Sequence, residues 1–467
     1  IPMSLKLVKT LIFISDFIAI NLSFILIYLI RFKSGLIENP VYIYFSDLPL
    51  PMLLVYIFWL LIFLFFGLYI IKPVGSRFDE ITTIFKATAA GSLIIFVITT
   101  DISHPLPTSR IVIFIYFALM LVLTGTGRLA IRTLQRKLLE AGKGLRKSLI
   151  IGWNNQARNL LSRIKQFPAL GYNVIGFVET TPDGLGKSHE GVKVLGTVNE
   201  MPEIIRENNV KEVIIALSSG DHKKLIEIIS RVNGEGIGIK IIPDLYDIIS
   251  GQARTNQIYG FPLIEILPEL MPVWERNAKR LIDIIISLLI LSVFSPLWVL
   301  IALFIKLESR GPVLYKQKRV GKDGRIFTIY KFRSMVENAE QITGPVWASR
   351  DDPRITRVGR IIRKLRLDEI PQFINILDGD MSLVGPRPER PFFIEMIKKE
   401  LPLYTRRLRI RPGITGWAQV KHKYDSSLDD VKTKLRYDLF YIENMSLRMD
   451  FKILLNTLLV MLRGKVH

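Results

Sequence analysis

Four predominantly apolar stretches fill most of the first 140 residues: Leu5–Ile30, Leu50–Ile71, Ile81–Thr100 and Ile111–Ala130. Each is long enough for a membrane-spanning helix, which needs about 20 apolar residues. The first runs into Arg31-Phe32-Lys33 and not into a small-residue cleavage site, so it reads as a span and not as a signal peptide. Beyond Lys147 the period changes. Short β-branched runs over Ser148–Ile151, Val174–Val178, Glu212–Ala216 and Ile237–Ile242 alternate with helical patterns over Ala157–Gln166, Glu200–Glu207 and Lys223–Val232. This alternation predicts a Rossmann-like α/β unit with a parallel sheet. Gly251, Gly260, Pro262, Pro268 and Pro272 then punctuate a linker before the last segment.

A fifth apolar stretch, Leu281–Ile305, has cations on both flanks: Arg276, Lys279 and Arg280 before it, Lys306, Arg310, Lys316, Lys318 and Arg319 after it. Cytoplasmic flanks of membrane helices are enriched in Lys and Arg, so both ends are expected on one face. Ser295-Pro296 lies near the middle, where proline removes a helix hydrogen bond and kinks the chain. The prediction is a re-entrant helix hairpin over about 279–308, with a kinked fifth span as the alternative. The same rule orients the four N-terminal spans. Arg128, Arg132, Arg136, Lys137, Lys143, Arg146 and Lys147 lie in or after the end of the fourth, while Asp101–Arg110 holds a single basic residue. Both ends of the bundle, and everything after residue 140, are expected on the cytoplasmic side, with Arg31 and Lys33 outside.

Composition narrows the classes. A chain of 467 residues with 49% hydrophobic and 22% charged residues and a mean hydropathy of +0.31 is part membrane, part soluble. The absence of cysteine excludes a disulfide scaffold and thiolate chemistry. His104, His189, His222, His422 and His467 show no metal-ligand spacing. Lys and Arg outnumber Asp and Glu by 63 to 42, and by 36 to 21 within Glu275–His467, so an anionic partner belongs mostly to the last segment. Nucleic acid is disfavoured, because these cations cluster with Pro and Gly and not along a helix interleaved with aromatics. Gly152 follows the first strand, but Trp153-Asn-Asn-Gln-Ala157 lacks the further glycines of a dinucleotide loop. No Tyr-x-x-x-Lys follows Tyr172 or Tyr246. The α/β unit is therefore expected to be structural or regulatory.

Four clusters carry the candidate chemistry: Lys331-Phe-Arg333-Ser-Met335, Arg363-Lys-Leu-Arg-Leu-Asp368-Glu369-Ile-Pro371-Gln372, Gly379–Glu389 with Arg387 between two prolines, and Arg411-Pro-Gly-Ile-Thr-Gly-Trp417. Arginine binds phosphate oxygens bidentately, which makes Lys331, Arg333, Arg363 and Arg387 candidate phosphate ligands. Pro371 is tolerated in a first helical turn, so a helix through Phe373–Leu377 is expected to start near Asp368. The Asp368–Glu369 pair would then sit at a helix N-terminus, where backbone amides favour phosphate. Adjacent side chains point about 100° apart on a helix. One carboxylate could attack phosphorus while the other holds Mg²⁺.

Together with Tyr437-Asp-Leu-Phe-Tyr-Ile-Glu-Asn444, these motifs resemble the bacterial sugar transferase family. Its members are monotopic phosphoglycosyl transferases that move a sugar-1-phosphate from a UDP-sugar onto polyprenyl phosphate. With four spans and an α/β unit, the chain resembles the long undecaprenyl-phosphate galactose- or glucose-phosphotransferases, which initiate exopolysaccharide, O-antigen, capsule or S-layer glycan synthesis. The resemblance implies Asp368 as nucleophile, Glu369 as the Mg²⁺ partner, Arg363 and Arg387 at phosphate, and Ser295-Pro296 as the membrane break. It also implies a UDP-hexose donor, UMP release, a homodimer and a bacterial inner-membrane location with cytoplasmic soluble domains. Arg366 departs from the pattern, since many members carry a small hydroxyl residue there. The expected domains are residues 1–140 (transmembrane helices), 141–250 (α/β), 251–274 (linker) and 275–467 (catalytic α+β). A membrane-bound UDP-sugar dehydratase and a non-enzymatic scaffold of a polysaccharide assembly complex are the alternatives.

Overall fold

The computed structural model describes residues 5–35, 44–70, 77–99, 111–181, 184–217, 222–232, 237–243, 263–266, 271–336, 352–421 and 428–462. The loop 101–110 and the linker residues Gly251, Gly260, Pro262 and Pro268 lie outside them. The chain divides into two units, Ile1–Pro268 and Glu269–His467.

The first unit opens with α1 (Leu5–Phe32), α2 (Pro49–Phe65), α3 (Arg77–Ile98) and α4 (Ile111–Glu140). Three of them, not four, are long and apolar enough to cross a membrane. At 17 residues α2 is about 26 Å long, short of the ~30 Å hydrocarbon layer. Its apolar sequence continues to Ile71, but the chain leaves the helix at Phe66 and turns at Gly67, whose φ of +73° is left-handed. Trp59, Phe63, Ile84 and Met120 pack the centre of the helices, and Trp59 Nε1 donates to Tyr116 Oη at 2.7 Å. A buried charge cluster joins α1, α3 and α4. Arg128 donates to Asp16 at 2.9 and 2.5 Å and to the Leu68 carbonyl at 2.9 Å, and Arg132 pairs with Glu80 at 2.5 Å.

The α/β part carries a seven-stranded mixed sheet in the order β3-β4-β2-β1-β5-β6-β7. Its strands are β1 (Arg146–Ile151), β2 (Tyr172–Glu179), β3 (Ser188–His189), β4 (Val192–Thr197), β5 (Glu212–Ile215), β6 (Gly238–Ile241) and β7 (Ile264–Ile266). The five central strands are parallel and the two edge strands antiparallel. Helices α5 (Asn155–Gln166), α6 (Met201–Asn208) and α7 (His222–Val232) supply the apolar side chains that pack against it. At Gly152, φ is +110° and a Cβ would collide with the Ala216 carbonyl. Asn154 accepts from Ala157 N at 2.8 Å, capping α5, and donates to that same carbonyl at 2.7 Å.

The second unit begins with α8 (Val273–Val293) and α9 (Ser295–Glu308), which meet at Phe294 with a bend of 61°. Pro296 occupies the first turn of α9, where its missing N–H costs nothing. Polar side chains in the first half of α8 fasten it to the rest of the unit. Arg280 donates to the Ile376 and Leu377 carbonyls at 2.6 and 3.0 Å, Lys279 to Asp450 at 2.6 Å, and Asp283 accepts from Leu383 N at 3.0 Å. Leu281, Ile285, Leu288, Leu289, Val299 and Leu303 are exposed on the two helices.

A hairpin of β8 (Leu314–Val320) and β9 (Ile326–Phe332) turns through Gly321–Gly324 as expected. It is followed by α10 (Arg357–Lys364), α11 (Gln372–Asp378), β10 (Ser382–Val384), α12 (Pro391–Glu400), β11 (Gly413–Thr415), α13 (Trp417–Lys421), α14 (Leu428–Glu443) and α15 (Leu447–Leu462). Phe327, Ile329, Ile376, Met381, Tyr441, Ile442 and Ile453 form the core beneath the site. Two of the sequence clusters meet here, because β10 pairs with β11. Gly385 and Gly413 lie backbone against backbone, with no room for a Cβ on either.

Candidate active site

The two carboxylates do not open a helix. Asp368 and Glu369 lie in a 3₁₀ turn, Leu367–Glu369, and α11 starts only after Pro371. The expected start near Asp368 fails because Arg366 adopts a left-handed backbone, φ +58° and ψ +18°, which ends α10 and throws the chain into a tight turn. The outcome for the side chains is divergence all the same, since residues of a 3₁₀ helix are about 120° apart.

Glu369 points inward and is 8% exposed. Its Oε1 accepts from Lys331 Nζ at 2.8 Å and from Arg387 Nη2 at 3.1 Å, while Arg366 approaches Oε2 at 3.7 Å. Burial alone would push this carboxyl up, but Lys331, Arg387 and Arg366 outweigh it and hold it well below the usual carboxylate range. Asp368 is different. Among the described residues its side chain takes part in no hydrogen bond and no ion pair, although it is only partly exposed. Burial, and then the charge on Glu369, push its carboxyl up, against the pull of Lys331, Arg363 and Arg366.

The positions of the cations follow from the fold. Lys331 is the penultimate residue of β9, and buried Asn375 of α11 ties that strand in register. Its Nδ2 donates to the Thr328 carbonyl at 2.8 Å and its Oδ1 accepts from Tyr330 N at 3.1 Å. Arg387 projects from the turn after β10. Arg363, in the last turn of α10, reaches Asp368 through its charge and not through a hydrogen bond.

Arg333 is placed elsewhere. Buried at 6% exposure, its guanidinium donates to the Arg310 and Ser309 carbonyls, each at 2.8 Å, and to Ser309 Oγ at 2.9 Å, closing the C-terminal end of α9. Ser295 and Pro296 lie at the bend between α8 and α9, where Ser295 Oγ donates to the Ser292 carbonyl at 2.8 Å. Sequence reading missed Asn375, although a buried asparagine in an otherwise apolar helix is the kind of residue that marks such a tie.

Carboxylate oxygens are of the type that holds Mg²⁺, which is commonly bound by one or two carboxylates together with substrate phosphates; here the Asp368 oxygens are unengaged, while those of Glu369 already face Lys331, Arg387 and Arg366. No group of three or more His, Cys, Asp or Glu able to hold a metal occurs among the described residues, so the substrate's oxygens would have to complete any such site.

The bacterial sugar transferase family model matches residues 274–464, the segment that carries this site, and a CoA-binding domain model matches residues 64–243. The UDP-glucose:undecaprenyl-phosphate glucose-1-phosphate transferase of Xanthomonas campestris pv. campestris is 33% identical over 340 residues, 70% of each chain. The chain belongs to the bacterial sugar transferase family. Another member of that family, the enzyme of the same name from Klebsiella pneumoniae, is 32% identical over 354 residues, 75% of each chain. The UDP-N-acetylgalactosamine-undecaprenyl-phosphate N-acetylgalactosaminephosphotransferase of Aeromonas hydrophila is 45% identical over 223 residues, but these make up only 48% of this chain and 52% of that protein. The sugar transferase relatives are named as undecaprenyl-phosphate sugar phosphotransferases, the enzyme class implied by the motifs.

Proposed function

We propose that this protein transfers a hexose-1-phosphate from a UDP-sugar to polyprenyl phosphate, releasing UMP, as the initiating step of a surface glycan. The observation that carries the reading is the division of labour in the carboxylate pair: Glu369 is clamped by Lys331, Arg387 and Arg366, whereas Asp368 is left with its oxygens unengaged. An Asp368 oxygen attacks the sugar-linked phosphorus. The bond from that phosphorus to the bridging oxygen breaks, and UMP leaves with the oxygen. A phosphosugar-aspartate remains. An oxygen of polyprenyl phosphate then attacks the same phosphorus, the bond to aspartate breaks, and the carboxylate is regenerated with a lipid-linked sugar diphosphate as product.

The cations around the pair would take up the charge of the diphosphate. Lys331 and Arg387, already converged on Glu369, and Arg363 beside Asp368 are the groups we assign to the phosphates. Mg²⁺, held by Asp368 and Glu369, would neutralise further phosphate charge when bound. In this reading α8 and α9 form a re-entrant hairpin in the inner leaflet, so the acceptor's phosphate emerges beside the second unit. The N-terminal helices, α2 included, anchor the chain in the bacterial inner membrane with the soluble parts cytoplasmic, and the protein works as a homodimer. Residues 141–250 form a Rossmann-like accessory domain.

The test is UMP release from a panel of UDP-hexoses by the full chain in nanodiscs containing undecaprenyl phosphate. One donor is expected to be turned over far faster than the rest. Absence of UMP release with every UDP-sugar, in a folded membrane-inserted sample, refutes the reading.

A further inference from the structure

The turn that presents Arg387 is unusual in how it is held. Pro386 and Pro388 have no N–H, so half of the segment's residues can bond through the backbone only by their carbonyls, while the rings set φ and leave ψ free. All four carbonyls from 386 to 389 accept a hydrogen bond, each from a different residue. Gly413 N donates to Pro386 O at 3.0 Å and Val320 N to Glu389 O at 3.0 Å. The two in between take guanidinium groups: Arg407 Nη2 donates to Arg387 O at 3.0 Å, and Arg319 Nη1 to Pro388 O at 2.9 Å.

Neither arginine reaches the carboxylate pair by any contact described above. Arg407 is 4% exposed, stacks against Tyr404 with 4.8 Å from its guanidinium carbon to the ring centre, and pairs with Asp438 at 2.9 Å. Arg319 approaches Glu389 at 3.8 Å, and Lys434 donates to Glu389 at 3.0 Å. Burying two guanidinium groups and their counter-ions gives little net stability compared with well-packed apolar side chains. What the arrangement does supply is a fixed ψ on either side of Arg387.

We infer that Arg407 and Arg319 are positioning residues, which act on the transfer reaction by holding the Pro386–Glu389 turn so that the Arg387 guanidinium faces Glu369 and the substrate phosphates. The inference rests on the function proposed above. Of the two, Arg407 lies in a region of sequence, Leu401–Arg409, that carries none of the candidate motifs.

A double-mutant cycle tests it, on the full chain in nanodiscs, with two readouts: UMP release and UDP binding by calorimetry. Arg407→Gln should lower kcat at least tenfold and weaken UDP binding. In an Arg387→Ala background the same change should cost less than twofold in both, because its route of action has already been removed. Losses that multiply in the double variant overturn the inference, as does wild-type turnover by folded Arg407→Gln. Arg319→Gln, at a more exposed position, provides the same cycle if Arg407→Gln does not fold, with the same two outcomes. UDP binding separates the two claims. If wild-type protein binds UDP with the predicted coupling yet transfers nothing, the proposed reaction fails and the positioning stands. If it transfers sugar phosphate while the losses multiply, only the positioning fails.

Discussion

Two buried charge clusters in this chain are built on opposite principles. Among the N-terminal helices, Arg128 and Arg132 meet Asp16 and Glu80, two cations to two carboxylates, and the remaining Arg128 donor goes to a backbone carbonyl. Around the Asp368–Glu369 turn, four cations, Lys331, Arg363, Arg366 and Arg387, face two carboxylates, and one of the two makes no ion pair. The first cluster is balanced without any ligand, and its pairings tie three helices together. The second carries surplus positive charge and an unengaged nucleophile, which is what a diphosphate substrate would complete. Burial of charge is thus no sign of function by itself; the imbalance is.

The largest effect is expected at the unengaged carboxylate. Asp368→Asn keeps the shape and should lower UMP release at least about 10³-fold, as the loss of a covalent nucleophile does. Near-normal turnover would remove the distinction between the clusters. In the balanced cluster the expected change is in stability. Arg128→Leu leaves Asp16 buried and unpaired and should destabilise the helices by about 3–5 kcal/mol, whereas Asp16→Leu combined with Arg128→Leu should recover most of that loss. A thermal-melt series on the two variants in detergent checks it, and equal destabilisation by both would show the pair to be more than a matched unit. Arg387→Lys keeps charge but loses the planar fork, and about tenfold lower kcat is expected, read against a surface control such as Lys398→Ala.

The smallest effects concern pH and sharpen the comparison most finely. Burial and Glu369 raise the Asp368 carboxyl, so its ionisation costs stability once the pH exceeds its ordinary value of about 3.9. Asp368→Asn should therefore melt slightly higher than wild type at pH 7. The Glu369 carboxyl is depressed, so its contribution is present above about pH 4.3 and is lost as the pH falls toward the folded value. Glu369→Gln should melt lower at pH 7, with a shallower decline on acidification. Melting temperatures of the three proteins between pH 7 and pH 3.5 decide both signs.

Much of this was legible in the sequence, for identifiable reasons. The Val- and Ile-rich central strands appear within about two residues of their predicted ends, because strands buried on both faces read as continuous apolar runs. β3, β4 and β7 did not appear, since two are only two or three residues long and β4 alternates Lys and Gly with apolar residues. Hydropathy overestimated α2 because a left-handed turn at Gly67 stops the helix inside an apolar run. Candidate cations were found by type and proximity to Pro and Gly, a signal that cannot tell Lys331, directed at Glu369, from Arg333, whose two Nη groups donate to the end of α9. The ties made by Asn375, Arg319 and Arg407 span 45, 69 and 20 residues of sequence, and pairings at such separations leave no local pattern.

The central claim, that Asp368 is the residue on which the phosphosugar is carried, is tested most directly by mass spectrometry of the protein after incubation with the donor sugar nucleotide and Mg²⁺ but no lipid acceptor. A hexose-phosphate adduct is expected on the peptide containing Asp368, absent in Asp368→Asn and discharged when undecaprenyl phosphate is added. An adduct on any other residue, or full UMP release with no adduct at Asp368 in a rapidly quenched sample, contradicts the account.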